Sequence, residues 1–257
     1  MWTVEIQKRL FWVAQEKNLR QSTVFSYRRL LMRLQIADDS VTLEDVQERL
    51  LSIDNINTRR AAAIACRSVL NMPGLRIPRG VPRRYDLPSE DTLRMALMLS
   101  RYEIRGLLMM YAGLRLGEAC AITHKARRGD RLHVDRQVTE LYASAAQTGG
   151  APQHVRRLAP VKTSEADVVI PHWLCPLVDT LTDVDGPGAV RTNLYAAGRK
   201  VGISLNPHQL RHWYATTALA RGVPLSLVSR QMRHSDVSVT LRSYSQSRDE
   251  DIHQAFG

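Results

Sequence analysis

Pro73, Pro78, Pro82 and Pro88 stand within one sixteen-residue stretch, and Gly74 follows the first of them. Proline fixes φ and lacks an amide donor, so neither a continuous helix nor an interior strand can cross this stretch. The chain must therefore be built in two pieces, one before residue 73 and one after residue 88. Arg76, Arg79, Arg83 and Arg84 interleave with the prolines, and 73–88 reads as a semi-extended basic strap joining two domains.

The first piece, 1–72, is helical by its apolar spacing. Ile6, Leu10, Val13 and Ala14 mark a helix from Glu5 to Lys17. Ser22 or Thr23 caps a second through Tyr27, Leu30, Leu31 and Leu34, and Thr42 with Glu44 and Asp45 opens a short third. Asn57 or Thr58 opens a fourth through Ala61, Ile64, Ala65 and Leu70. The second piece starts a helix at Ser89-Glu90-Asp91 and another near Glu103 to Ala112. Strand-like runs follow at 132–134, 157–161 and 168–170, with an extended hairpin loop over 143–154, and helices return after Pro171. The expected class is α+β, mainly α with a small antiparallel β-sheet, arranged as a helical domain followed by a mixed one.

Net charge adds a partner class. The 257 residues carry a formal +11 at a pI near 10.1, which favours a polyanion such as nucleic acid or an anionic membrane surface. Only five of the 36 basic residues are lysine. The planar guanidinium fork matches phosphate, although GC-rich coding produces the same bias. No run of eighteen apolar residues and no secretory segment is present. Cys66, Cys120 and Cys175 have neither metal-ligand spacing nor an even count for disulfides, so the cytoplasm is the expected compartment.

Four clusters can carry chemistry. In Gly113-Leu114-Arg115-Leu116-Gly117-Glu118, glycines flank an arginine, and Glu118 lies on its helical face. Lys162 sits at the tip between two strand-like runs. Asn206 caps a helix beginning at Pro207, which carries His208 and Arg211 on one face near free backbone N–H groups, a phosphate-binding edge. His208 and His212 at i, i+4 have no glutamate between them and no third ligand, which argues against zinc. His234 follows an apolar helix, and Tyr244 comes ten residues later with a short helix expected between them. Tyr111 and Tyr214 read as core and packing residues. Phosphoryl transfer needs directional cationic donors, a nucleophile and a proton for the leaving oxygen. Arg115, Arg211, His208 and His234 can form the clamp, Lys162 the acid and Tyr244 the nucleophile. The sequence offers no obvious carboxylate cluster for a divalent metal, and no cofactor is expected.

In this order, Gly-Leu-Arg115-x-x-Glu118, Lys162, His208-x-x-Arg211, His234 and Tyr244 resemble the tyrosine recombinases of the phage integrase family. The resemblance implies a helical core-type DNA-binding domain over 1–72, a linker over 73–88 and a catalytic domain over 89–257 with a short C-terminal tail. It implies a minimal phage integrase lacking the N-terminal arm-binding domain. Tyr244 would attack the scissile phosphate to give a 3′-phosphotyrosyl bond and a 5′-hydroxyl. Arg115 and Arg211 would hold the non-bridging oxygens, and Lys162 would protonate the leaving oxygen. His208 would assist the tyrosine or the phosphate, His234 would be another phosphate donor, and Glu118 would orient the arginines. The implied partners are duplex DNA with core-type attachment sites, further copies in a synaptic homotetramer formed from free monomers, and an excision directionality factor. A tail through Ile252 and Phe256 would reach a neighbouring protomer only briefly. The His234–Tyr244 spacing is one residue longer than in many members. Two other readings share these features: a type IB topoisomerase-like enzyme, and a non-catalytic DNA-binding protein.

Overall fold

The computed structural model describes residues 4–36, 40–81, 87–143 and 153–233. Arg83, Arg84, most of the 143–154 stretch, His234, Tyr244 and the tail after it lie outside these residues. The chain divides into two compact units, Met1–Arg84 and Tyr85–Gly257.

The described residues of the first unit form four helices, α1 (Val4–Glu16), α2 (Gln21–Arg33), α3 (Leu43–Leu51) and α4 (Ile56–Val69). They close over Ile6, Leu10, Leu31, Val46, Leu50, Cys66 and Val69, all buried. Thr42 caps α3 as read: its Oγ1 accepts from the Asp45 amide at 3.1 Å, and Asp45 reaches back to the Thr42 amide at 2.9 Å. Two caps differ from the sequence reading. α2 starts a turn early, because Arg20 supplies the extended residue and its carbonyl takes the first amides, leaving Ser22 and Thr23 inside the helix. α4 is capped by Asn55, whose Oδ1 accepts from the Thr58 amide at 3.0 Å.

That displaced cap releases Asn57 for a different task. Its Nδ2 donates to Val81 O at 2.8 Å and its Oδ1 accepts from the Val81 amide at 3.0 Å. Arg60 donates to Pro78 O at 2.7 Å, and Arg67 to Pro73 O at 2.6 Å. The described part of the proline strap, 73–81, is therefore pinned along α4 and is not a free tether. In this extended strap the Pro73 and Pro78 carbonyls lie outside any helix or ladder, and side-chain donors satisfy them.

The second unit is mainly helical: α5 (Glu90–Met98), α6 (Glu103–Ala112), α7 (Leu116–Ala121), α8 (Cys175–Asp179), α9 (Pro187–Lys200), α10 (Pro207–Ala220) and α11 (Leu225–Met232). Among its described residues there are five strands: β1 (Arg127–Arg128), β2 (Arg131–Val134), β3 (Arg136–Ala143), β4 (Gln153–Pro160) and β5 (Ala166–Val169). They form two antiparallel sheets, β1-β2-β5 and the β3-β4 ladder, which runs from Arg136↔Pro160 to Ala143↔Gln153. β3 and β4 thus extend into both ends of the stretch read as loop. The helical core of this unit includes Leu93, Leu97, Leu108, Met109, Leu194, Leu205 and Leu210, none of them exposed.

Arg105 on α6 organises the outer end of α7. Its Nε donates to Asp185 Oδ2 at 2.7 Å, its Nη1 to the carbonyls of Ala119 and Ile122 at 2.8 and 2.5 Å, and its Nη2 to Asp183 O at 2.6 Å. One buried guanidinium closes the C-terminal carbonyls of α7 and anchors the loop before α9. Gln231 on α11 makes a comparable join to β5, donating from Nε2 to Val169 O at 2.7 Å and accepting from the Val169 amide at 3.2 Å.

Candidate active site

α6 ends at Gly113, whose φ of 66° is left-handed and favours glycine. A Cβ there would also lie 2.8 Å from the Tyr214 ring. The turn delivers Arg115 as the residue before α7, where Glu118 reaches back to its amide at 2.7 Å. The second glycine of the motif, Gly117, is required by a close approach: a Cβ would meet Val138 O of β3 at 2.7 Å. α10 begins as read, with Asn206 Oδ1 accepting from the Gln209 amide at 3.0 Å and Pro207 in the first position.

These two helix starts bring the candidates together. Arg115, His208 and Arg211 line a cleft of about 260 Å³ with Leu114, Leu116, Asn206 and Pro207. Arg115 Nη1 donates to Glu118 Oε1 at 2.9 Å, and its Nη2 to Arg233 O at 3.0 Å. Arg211 is buried and bridges the ends of two helices, donating from Nη1 to Gly113 O and from Nη2 to Met232 O, the latter at 2.6 Å. Helix C-termini carry orphan carbonyls and a negative dipole end, so a buried guanidinium is well matched to them. Glu118 also accepts from Arg233. Two guanidiniums thus share one carboxylate, and with Arg211 beside them the site carries a net positive charge. Burial first, then the neighbouring Arg115, pushes the Arg211 guanidinium down to about 9, with Glu118 opposing. It stays charged at neutral pH.

His208 is exposed at the cleft, while its neighbour His212 is half-buried and burial pulls its imidazolium down. Among the described residues no three His, Cys, Asp or Glu side chains gather in a metal-binding group. Lys162 is exposed in a bend between β4 and β5. These strands do not pair with each other, so the hairpin-tip reading is corrected: β4 belongs with β3, and the chain crosses to lay β5 beside β2. The bend nonetheless reaches the site, because its Thr163 Oγ1 lies 3.4 Å from Arg115 Nη1. His234 and Tyr244 lie outside the described residues.

The two rival tyrosines behave as packing groups. Tyr111 donates to Glu90 at 2.6 Å and meets the edges of Trp173 and Trp213. Burial and Glu90 push its phenol up to about 12. Tyr214 is raised by burial alone. The sequence reading missed Arg191 and Tyr195 of α9, which line the same cleft. Their i, i+4 spacing beside the buried Val190 and Leu194 was a visible signal. It also missed Thr163 and Arg233, which only the fold brings near Arg115.

Residues 186–251, a segment holding His208, Arg211, His234 and Tyr244, match the phage integrase family model. The chain is similar to the tyrosine recombinase XerA of Pyrococcus horikoshii, 44% identical over 43 residues, 17% of this chain and 15% of that protein. Its similarity to XerA of Thermococcus kodakarensis is 24% over 176 residues, 64% of this chain and 58% of that one. These matched stretches span less than two thirds of either relative. In fold the chain is similar to the Tn1549 transposon integrase in complex with a circular intermediate DNA, with TM-score 0.65, 14% identity, 98% of this chain and 100% of that chain. It is also similar to a lambda integrase dimer bound to a COC′ core site, with TM-score 0.64, 13% identity and 95% of each chain. Residues 186–251 thus match the phage integrase family, and the chain shares the fold of these integrases.

Proposed function

We propose that the chain is a site-specific DNA recombinase of the phage integration and excision type, acting by transesterification through Tyr244. The observation that carries this reading is the single cleft shared by Arg115, His208 and Arg211, backed by an excess of guanidinium charge and bordered by the Lys162 bend. Such a cleft suits a phosphodiester whose negative charge grows in the transition state.

In this mechanism the Tyr244 oxygen forms a bond to phosphorus as the bond to the 5′-oxygen breaks. The phenolic proton passes to His208 or to water, and Lys162 supplies a proton to the leaving 5′-oxygen. Arg115 and Arg211 hold the non-bridging oxygens, His234 adds a further donor, and Glu118 fixes the arginines. A 5′-hydroxyl from a partner duplex then attacks the phosphotyrosyl bond and releases the tyrosine, so bond energy is conserved. Two such exchanges through a Holliday junction complete recombination in a homotetramer on core-type sites. The helical unit, 1–72, acts as a core-binding module. The related lambda integrase and Tn1549 integrase structures hold DNA on the same fold, which supports a duplex partner.

The test is covalent capture from a pool of nicked duplexes with randomised cores, resolved by denaturing electrophoresis and mass spectrometry. An adduct mapped to Tyr244 and absent in Tyr244→Phe is expected. Tight binding without an adduct would sink the catalytic reading, and relaxation of supercoiled plasmid without any synapsis would point to a topoisomerase. On the captured duplex, Lys162→Ala should slow single-turnover cleavage by about 10²- to 10⁴-fold. A 5′-bridging sulfur should restore most of that rate, because a thiolate leaves without a proton. An undiminished defect with sulfur would remove Lys162 from the acid role.

A further inference from the structure

Arg233 occupies a destabilising position. Its backbone is left-handed, with φ 53°, a region that favours glycine over any residue with a Cβ. Its side chain is 1% exposed. Its Nε and Nη1 have no hydrogen-bond partner among the described residues, and buried unsatisfied donors lower stability. A helix stop alone is served better by glycine. Backbone strain together with orphaned buried donors points to a role in the site.

We propose that Arg233 is a positioning residue for Arg115. The three residues close a ring. The Arg233 carbonyl accepts from Arg115 Nη2 at 3.0 Å, and the Arg233 guanidinium donates to Glu118 Oε2. Glu118 Oε1 completes the ring by accepting from Arg115 Nη1 at 2.9 Å. The left-handed turn sets the carbonyl, and the side chain sets the carboxylate. Both arms of the Arg115 fork are then fixed, although its side chain remains 28% exposed toward the cleft.

The second effect is electrostatic. Glu118 alone would cancel the charge of Arg115 and weaken its hold on an anion. With Arg233 on the same carboxylate, the trio keeps a net positive charge. Arg233 itself is not among the residues lining the cleft, so it acts through Arg115 and Glu118 and does not touch substrate.

This assignment rests on reading the cleft as a phosphate site, and the test separates the two. Arg233→Met keeps the Cβ and much of the volume but removes the charge; Arg233→Lys restores charge without the fork. Two readouts are taken on the full chain: single-turnover adduct formation on the captured duplex, and binding of orthovanadate by ⁵¹V NMR. Arg233→Met should slow adduct formation about 10- to 100-fold, the size typical of losing a partner that orients a functional ligand. Duplex affinity should hold, and vanadate binding should weaken, with partial recovery in Arg233→Lys. In combination with Arg115→Ala, Arg233→Met should add no further loss, because the two act as one unit. Full activity and vanadate binding in Arg233→Met would overturn the proposal, as would a loss that multiplies with Arg115→Ala and tracks a lowered melting temperature. A wild-type chain that binds vanadate in an Arg233-dependent way yet makes no adduct would sink the recombinase reading and leave Arg233 in place. A chain that binds no vanadate and forms no adduct overturns both.

Discussion

Arg211→Lys is expected to slow single-turnover strand cleavage by about 10²- to 10³-fold, the loss typical of removing one preorganised oxyanion donor. Duplex affinity should change far less. Lysine keeps the positive charge, so a site that needed only charge would keep its rate. The guanidinium, however, spans two helix ends at once, donating to Gly113 O and Met232 O, while the same residue lines the cleft. An ammonium group is compact and cannot hold both carbonyls and still present a planar edge to a phosphate. One buried carbonyl is left without its donor, so chemical denaturation should also show a loss of about 1–3 kcal/mol. Quenched-flow cleavage and urea unfolding measure the two effects separately. Near wild-type cleavage in this variant would mean that Arg211 is a scaffold residue only.

Arg105→Met should have the largest effect on stability, about 2–5 kcal/mol, as expected when two buried carbonyls lose their donor. Arg105 is 2% exposed, and its fork serves Asp185 and three backbone carbonyls. Methionine fills part of the volume but donates nothing, so the Ala119 and Ile122 carbonyls would be buried unpaired. Two of them close α7, whose opposite end holds Arg115. Unfolding in urea should show the loss directly, and the remaining folded protein should still resist proteolysis within the first unit. A loss below about 1 kcal/mol would show that water or neighbouring donors take over the carbonyls.

The sequence revealed most where a local rule governs. Thr42 with Asp45, Ser89 with Thr92 and Asn206 with Gln209 are short-range caps, and each helix begins where its cap predicts. The α2 and α4 starts were less legible because several polar residues compete there, and the choice between Asn55 and Asn57 is decided by Val81, twenty-four residues from Asn57. The β3 strand was missed because Gln137 and Glu140 interrupt its apolar pattern. Both are held by distant partners, Pro160 O at 2.7 Å and the Gly188 amide at 2.8 Å. In the site, Arg115, Glu118, His208 and Arg211 could be read from local motifs. Arg233 and Thr163 could not, since they join Arg115 across sequence separations of 118 and 48 residues.

The Gln231 amide has a consequence beyond its join of α11 to β5. β5 is the outer strand of its three-stranded sheet, and an open strand edge is a template on which another chain can add. By occupying both the N–H and the C=O of Val169, Gln231 imitates a neighbouring strand and closes that template from within. At Val169 the edge is therefore no longer open to a strand from a second copy.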